Sequence, residues 1–288
     1  MSDGERRRRT PRQPSNDPSS LLRDSPLASD DLLWRHLKSL PYFRALLRAV
    51  EASFYDEIDL PQPALDLGCG DGHFASMAFA GRAPMIGVDP WWSPLRESAR
   101  RRVYRAAIQS AGASLPFPSE YYATVVSNSV LEHIPDLDPV LAEVSRVLRA
   151  GGCFIFCCPS DNFLPFLSIS RGLRRVGLRG LAEWYESLFN RISRHHHCDD
   201  PDVWAERLAR AGLSIERNWY YFSRGALAAL EWGHYLGLPS AVAKKLTGRW
   251  VIAPTRWNLW LTNRLVRRFY QEPLPERGAY LFFIARKS

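Results

Sequence analysis

The stretch ALDLGCGDGHF, residues 64–74, constrains the fold most, because three glycines recur at every second position directly after an apolar run. Glycines that follow a short buried strand form a tight turn, at which a ligand can press against bare backbone. A dinucleotide-binding turn has the form GxGxxG, whereas here the third glycine, Gly72, comes one residue early. The turn also has no lysine and no serine or threonine for a metal, which excludes a P-loop. The pattern therefore favours a nucleoside ligand without bulky phosphates.

A carboxylate follows at the place where such a ligand needs one. The apolar segment MIGVD ends at Asp89, 21 residues after Gly68. A carboxylate at the carboxyl end of the next parallel strand accepts hydrogen bonds from the hydroxyls of a ribose. Asp89 is therefore predicted to hold the ribose of the ligand.

Short apolar segments alternate with helical segments from about residue 60 to residue 160. Five segments have the length and composition of buried strands, namely PALDLG, MIGVD, RAAIQS, ATVVSNSV and CFIFCCP. Two more apolar strands are predicted near the end of the chain, before residue 223 and in GAYLFFIARKS. Strands that alternate with helices build a parallel sheet covered on both faces. We predict an α/β, Rossmann-like, mostly parallel seven-stranded sheet with helices on both faces.

Composition indicates a cellular compartment. The chain has 288 residues and a formal net charge of +8. No stretch approaches the ~18 uninterrupted apolar residues of a membrane-spanning helix, and the first residues lack the apolar segment of a secretory signal. The five cysteines form no CxxC pair, and an odd count is typical of reduced thiols in a cytosol. We therefore expect a cytoplasmic protein.

Four segments occur in an order and spacing that resembles a known family. They are LDLGCGDG, GVDP, ASLPFPSEYYATVVSNSVLEHI and LAEVSRVLRAGGCFIFCCP. Together they resemble class I S-adenosylmethionine-dependent methyltransferases, specifically the small-molecule type called methyltransferase type 11. The resemblance implies S-adenosylmethionine as cofactor and a small-molecule or lipid-linked acceptor that is methylated at oxygen or carbon. The alternatives are a catalytically silent binding protein that keeps the cofactor fold and a nicotinamide-dependent oxidoreductase, against which the glycine spacing argues.

The domain organisation follows from this resemblance. Residues 1–28 are predicted to be a disordered basic tail, because they are rich in proline, serine, aspartate and arginine. Residues 29–288 are predicted to form one methyltransferase domain. It consists of the sheet core, a helical cap at 29–60 and two helical inserts at 160–200 and 223–277.

The resemblance also assigns residues to the methionine end of the cofactor. Asp66 is implied to hydrogen-bond the amino group of the cofactor. The backbone of Gly68, Cys69 and Gly70 is implied to line the methionine moiety. Asn128, after the fourth strand, is expected to meet the cofactor or the acceptor.

The adenine end shows one departure from the family pattern. Pro90 and Trp91 are implied to flank the adenine. Family members often carry an aspartate before the residues that match LPF, but Ala111 stands at that position here. Adenine recognition is therefore expected from the backbone around Ala111 and Gly112.

A hydroxyl acceptor requires a base near the transferred methyl group. His133 in the segment LEH is the candidate catalytic base, because the unperturbed pKa of histidine is near 6.5. The alternative is that LEH forms a structural turn. One of His195, His196 and His197 is the competing base, and the sequence does not rank them. No metal is predicted, since three adjacent histidines do not share one helix face and HExxH or CxxC spacing is absent.

The second insert contains an aromatic and basic helical stripe. Trp257, Trp260, Leu261, Leu265 and Phe269 fall on one side, with arginines around them. We expect this helix to pack on its own domain. The alternative is an interfacial helix that makes peripheral contact with the inner face of a membrane or with a lipid-linked acceptor. Nucleic acid is not an expected partner, because the basic residues are dispersed.

Overall fold

A seven-stranded sheet forms the centre of the protein, for which the computed structural model describes residues 31–288. The predicted tail at residues 1–28 lies outside the described residues. The strands are β1 (Ala64–Leu67), β2 (Met85–Asp89), β3 (Tyr104–Gln109), β4 (Tyr122–Asn128), β5 (Leu148–Pro159), β6 (Leu213–Tyr221) and β7 (Tyr280–Lys287). Their order in the sheet is β3-β2-β1-β4-β5-β7-β6. The first five strands pair in parallel, and β7 is antiparallel to both β5 and β6. The predicted mostly parallel α/β sheet is confirmed.

The strand order reverses at β1, which pairs with β2 on one side and with β4 on the other. Ligands of open parallel sheets bind at the carboxyl ends of the strands beside such a switch point. In this protein the switch point carries the glycine turn after β1 and the loop after β4. The fold thereby fixes the place at which a ligand site is to be sought.

Eleven α-helices surround the sheet in the described part of the chain. They are α1 (Leu32–Leu37), α2 (Tyr42–Phe54), α3 (His73–Ala78), α4 (Trp92–Arg101), α5 (Asp138–Val147), α6 (Ser168–Arg175), α7 (Arg179–Ser193), α8 (Pro201–Arg210), α9 (Arg224–Leu236), α10 (Leu238–Thr247) and α11 (Arg256–Tyr270). Single 3-10 turns lie at Tyr55–Glu57 and Leu131–His133.

Two apolar clusters cover the two faces of the sheet. On one face Phe54 of α2 packs edge-on against Tyr221 and Phe282, with ring centroids 5.2 Å apart in both pairs. On the other face Trp204 of α8 is fully buried and lies 5.0 Å from the ring of Phe156. Burial of such large side chains contributes on the order of 2–3 kcal/mol each. The core therefore extends from the sheet into the helices on both sides.

The helices before β1 pack against the insert that follows β6. Helix α2 lies close enough to α9 that a Cβ atom on Gly233 would come within 2.3 Å of the Phe43 Cβ. Only glycine allows this approach. Helix α2 also lies at the carboxyl end of β4, where Asn128 and Ser129 donate to its Glu51. The two segments thus form one roof above the switch point.

Helix α11 packs on its own domain against α1, α2 and α9, as expected, but four of the five residues of its aromatic stripe do not take part in this packing. Trp257, Trp260, Leu261 and Leu265 are 80%, 58%, 56% and 55% exposed. The helix instead packs through Leu259 and Val266, which are buried and seven residues apart. The inward face is therefore rotated from the stripe that the sequence emphasises, and Phe269, half-buried, lies at its edge.

Candidate active site

The glycine turn after β1 is held in a backbone conformation that favours glycine. Gly68, Gly70 and Gly72 have φ angles of +79°, +54° and +72°. The Gly68 and Cys69 amides both donate to the carbonyl of Val88, at 2.8 and 2.9 Å. A Cβ atom on Gly68 would lie 2.5 Å from the methyl groups of Val130. The turn is therefore packed directly against the loop that follows β4.

Asp89 is buried at the end of β2 with its carboxylate fixed by two backbone amides. Gly70 N donates to Oδ2 at 3.0 Å, and Trp91 N donates to Oδ1 at 2.9 Å. A carboxylate oxygen accepts more than one hydrogen bond, so both oxygens keep capacity for a further donor. The predicted ribose carboxylate is thus oriented against the glycine turn.

Asp66 is buried in β1 and accepts a hydrogen bond of 2.5 Å from the Tyr104 hydroxyl. Burial raises its pKa to about 7, the hydrogen bond from Tyr104 acts in the opposite direction, and the neighbouring Asp89 raises it further. A cationic group close to Asp66 would favour the ionised carboxylate. The residue therefore suits the amino group that the family resemblance assigns to it.

The four residues expected around the adenine lie in the segments that directly follow β2 and β3. Ser110 N donates to the Asp89 carbonyl at 3.2 Å, which brings the segment after β3 beside Pro90 and Trp91. The Trp91 side chain is 71% exposed, so its ring is open to a flat partner. Ala111 is exposed and Gly112 is half-buried.

Asn128 has a buried partner that the sequence interpretation missed. Its Nδ2 donates to Glu51 Oε2 at 2.7 Å, and the Cys157 thiol contacts its Oδ1 at 3.2 Å. Glu51, fully buried on α2, also receives bonds from Arg48, Ser129 and Tyr221. The Asn128 amide is thus engaged inside the protein in this structure, and Glu51 ties the cap to the end of β4. The only signal for Glu51 was an acidic residue within the apolar face of a predicted helix.

His133 and His195 lie side by side although they are far apart in sequence. Their ring centroids are 5.4 Å apart, and His133 Nε2 is 3.7 Å from Glu132 Oε1. Burial lowers the pKa of His133 and lowers that of His195 to about 3. Burial raises the pKa of Glu132 to about 8. At neutral pH the two imidazoles are therefore uncharged.

The three adjacent histidines are separated by the structure. His196 is exposed, while its backbone N–H donates to the Glu132 carbonyl at 2.7 Å. The His197 ring has other partners: its Nε2 lies 3.0 Å from the Ile134 carbonyl and its Nδ1 lies 3.1 Å from Arg207 Nη1. Of the three, His195 alone lines the cavity next to His133.

A cavity of about 370 Å³ lies beneath the helical roof, next to these histidines. Helices α2, α7 and α9 and the turn after β4 contribute its walls. The polar and basic lining includes Arg44, Arg48, Ser129, Glu132, His133, His195 and His234. The cavity is large enough for a small molecule or one end of a longer one.

Comparisons with known proteins agree with this geometry. Residues 65–156 match the family model described as a methyltransferase domain. An uncharacterized methyltransferase from Mycolicibacterium vanbaalenii is 33% identical over 195 residues, which cover 67% of this chain and 68% of the relative. Trans-aconitate 2-methyltransferase from Methylobacterium radiotolerans is 28% identical over 188 residues, 63% of this chain and 70% of the relative. Among solved structures, the cyclase SpnF has a TM-score of 0.50 at 18% identity, with 85% of this chain and 81% of the other covered.

The match to the Mycolicibacterium relative covers more than two thirds of that protein, and the family model spans the strands around the switch point. The chain belongs to the class I S-adenosylmethionine-dependent methyltransferases and is an enzyme of that family. The likeness to SpnF supports the fold alone.

Proposed function

We propose that this enzyme transfers a methyl group from S-adenosylmethionine to a small-molecule or lipid-linked acceptor held in the cavity beneath the helical roof. One observation carries the proposal: a single segment, residues 128–133, contacts the glycine turn after β1 and also lines the cavity. Val130 packs on Gly68, whereas Ser129, Glu132 and His133 line the cavity. Methyl donor and acceptor would therefore meet across this loop.

The cofactor would occupy the carboxyl ends of β1, β2 and β3. Asp66 would bind its amino group, and Asp89 would bind the ribose. The backbone at residues 68–70 would line the methionine moiety. Trp91, with Pro90, would flank the adenine opposite Ala111 and Gly112. Asn128 would support the loop through Glu51 and meet the cofactor with its backbone.

When bound, S-adenosylmethionine supplies an activated methyl carbon for in-line displacement. The protein's task is to orient the acceptor, exclude water and remove a proton where the acceptor is a hydroxyl. A carbonyl oxygen only accepts hydrogen bonds, so the 3.0 Å contact of His133 Nδ1 with the Arg194 carbonyl places the hydrogen on Nδ1. Nε2 then carries the lone pair, and His133 would accept the acceptor's proton there.

We favour an oxygen atom of the acceptor as the atom that is methylated. The cavity is lined by hydrogen-bonding and basic groups together with the rings of Phe43, Phe163 and Trp250. This mixture suits an oxygenated molecule with an apolar part. The related enzyme from Methylobacterium is named for trans-aconitate, a small molecule, and not for a nucleic acid.

Isothermal titration of the full chain with S-adenosylmethionine tests the cofactor assignment, with NADH as the control ligand. We expect micromolar binding of S-adenosylmethionine and none of NADH. Acceptor screening then follows the release of S-adenosylhomocysteine with lipid, sugar and quinone-like compounds. Binding of NADH alone, or of neither ligand, contradicts the proposal.

A second proposal concerns the exposed stripe on α11, which suits the surface of an anionic membrane. Trp257, Trp260, Leu261 and Leu265 project from one side of the helix. Residues 238–271 contain no aspartate or glutamate. Their basic residues are Lys244, Lys245, Arg249, Arg256, Arg264, Arg267 and Arg268. Exposed aromatic side chains among basic ones are typical of helices that lie in a lipid interface.

Peripheral contact at the cytoplasmic face of a membrane would deliver a lipid-linked acceptor to the cavity. In the described residues, no helix is long and apolar enough to cross a bilayer. Co-sedimentation with vesicles that contain phosphatidylglycerol is expected to exceed that with phosphatidylcholine alone. The double variant W257A/W260A should lose this binding, whereas the control Trp184→Ala, which removes an exposed tryptophan from α7, should keep it. Equal binding by both variants contradicts the membrane proposal.

A further inference from the structure

We propose that Glu132, His133 and His195 form a site for a first-row divalent cation, such as Zn²⁺, at the wall of the acceptor cavity. One ligand atom from each residue lies within 4.8 Å of the other two. All three residues line the cavity. Linear spacing within the histidine run gave no metal motif, because the site combines a single histidine of that run with the turn after β4.

Glu132 provides an independent observation that points to a missing partner. Its side chain is 2% exposed, and in the part of the chain that the structure describes its Oε2 has no hydrogen-bond partner. A buried polar atom without a partner is costly, by on the order of 1–3 kcal/mol. A cation would satisfy this oxygen and would stabilise the ionised form of the carboxylate.

His133 already has the support that a metal ligand needs. Its Nδ1 donates to the Arg194 carbonyl at 3.0 Å, which leaves the Nε2 lone pair on the side of Glu132. Metal-binding histidines commonly donate their second nitrogen to a carbonyl in this way, which fixes both tautomer and ring orientation.

His195 is held in place by backbone rather than by side-chain packing alone. The His196 N–H donates to the Glu132 carbonyl at 2.7 Å, so the segment after α7 is tied to the turn that carries Glu132 and His133. Burial keeps the His195 imidazole neutral at physiological pH, and the neutral form is the one that binds metals.

One positive charge that acts on this group is already compensated. Arg48 lines the same cavity, and its Nη1 lies 2.7 Å from Glu51 Oε2 in an ion pair. Two imidazoles and one carboxylate are a ligand set that divalent zinc, iron and manganese accept, with coordination positions left open. Those positions would face the cavity.

This site deepens the proposed function and, for its catalytic purpose, rests on it. A bound cation would hold the acceptor by an oxygen and lower the pKa of a hydroxyl there, so that its proton leaves to solvent. The oxygen would then form a bond to the methyl carbon as the carbon–sulfur bond breaks, with S-adenosylhomocysteine as leaving group. With the cation bound, His133 would act as a ligand instead of accepting the acceptor's proton.

Calorimetric titration of the tag-free, chelator-treated full chain with ZnCl₂ tests the site directly, and CoCl₂ adds a visible spectrum. We expect one micromolar site per chain. His195→Gln and Glu132→Gln should weaken binding at least tenfold. His196→Gln is the matched control, because it removes the adjacent exposed histidine, and should bind as the wild type does.

No site in the wild type, or equal binding by His195→Gln and His196→Gln, overturns the inference. Circular dichroism verifies that each variant is folded, and His195→Gln decides the question if the buried Glu132 variant does not fold. S-adenosylmethionine binding is measured in separate titrations with chelator present. A protein that binds the cofactor but no zinc contradicts the metal site alone, and one that binds zinc but no cofactor contradicts the proposed function alone.

Discussion

The Tyr104 hydroxyl donates a 2.5 Å hydrogen bond to the buried Asp66 carboxylate, so that the first and third strands are linked across β2. This bond favours the ionised carboxylate, while burial favours the protonated one. Burial is the largest effect and, together with the neighbouring Asp89, it raises the Asp66 pKa to about 7, close to physiological pH.

The affinity for S-adenosylmethionine should therefore fall as the pH is lowered from 8 to 6. The cofactor's ammonium requires an ionised Asp66, and below its pKa this carboxyl must first release a proton. Asp66→Asn should bind more weakly at pH 8 and lack most of this decline. Tyr104→Phe, which removes the donor, should move the decline to higher pH. Calorimetric titrations at several pH values measure both effects, and a wild-type profile identical to that of Asp66→Asn contradicts the assignment.

Asp89→Ala should weaken cofactor binding by on the order of 1–3 kcal/mol, because charge-assisted hydrogen bonds to the ribose are lost. Asp89→Asn keeps the shape and should lose less. The free energy of unfolding without ligand serves as the control, since Asp89 also accepts from Gly70 and Trp91. If the calorimetric affinity for S-adenosylmethionine is unchanged in both variants, the assignment of Asp89 to the ribose is contradicted.

Gly68→Ala should be more destabilising than Gly81→Ala, although both glycines have nearly the same φ, +79° and +77°. Both variants carry the left-handed strain of about 1–2 kcal/mol. The added methyl at residue 68 also meets Val130, whereas nothing lies within 4 Å of Gly81. Chemical denaturation should show an extra loss of on the order of 1–3 kcal/mol, partly restored in the double variant G68A/V130A. Equal losses at the two glycines would show that the packing on Val130 is unimportant.

Glu132→Gln should change how stability depends on pH in metal-free buffer. Burial raises the pKa of Glu132 from 4.5 to about 8 in the folded state, so its contribution is fully present below pH 4.5 and is lost as the pH rises through 8. Between pH 5 and 9 the wild type should lose on the order of 3 kcal/mol that Glu132→Gln retains.

Urea denaturation at pH 5, 7 and 9 measures this difference. Glu97→Gln, a substitution on the exposed side of α4, is the control and should follow the wild type. Parallel pH profiles for the wild type and Glu132→Gln would mean that the folded carboxyl is not held protonated.

Local sequence predicted the parallel half of the sheet well, because buried strands and their turns are encoded in short segments. MIGVD corresponds residue for residue to β2, and RAAIQS to β3 within one residue at each end. The turn after β1 shows the positive φ angles that its glycines suggested. The parallel pairing of the first five strands also followed from the sequence, since βαβ units restrict topology strongly.

The features that sequence could not give depend on contacts between distant segments. The pairing of His133 with His195 arises because the segment after α7 returns to the turn after β4, which no local pattern encodes. In the sequence Glu51 is an ordinary acidic residue of a predicted helix, and only the structure shows that four side chains donate hydrogen bonds to it. The orientation of α11 depends on its packing against α1, α2 and α9, which buries Leu259 and Val266 and leaves the larger tryptophans exposed.

The position of β7 has a consequence for how the chain reaches this structure. β6 touches the sheet only through β7, which enters between β5 and β6 as the last described strand. The helices α9 to α11 are synthesised between the two strands, so closure of this pairing spans a long loop and is entropically slow. During translation the first five strands can assemble while β6 still waits for its neighbour. A nascent chain stalled before residue 280 would then expose β5 as an open edge of the sheet. Unpaired strand edges pair with other chains, so this edge is where the incomplete protein would be prone to aggregate.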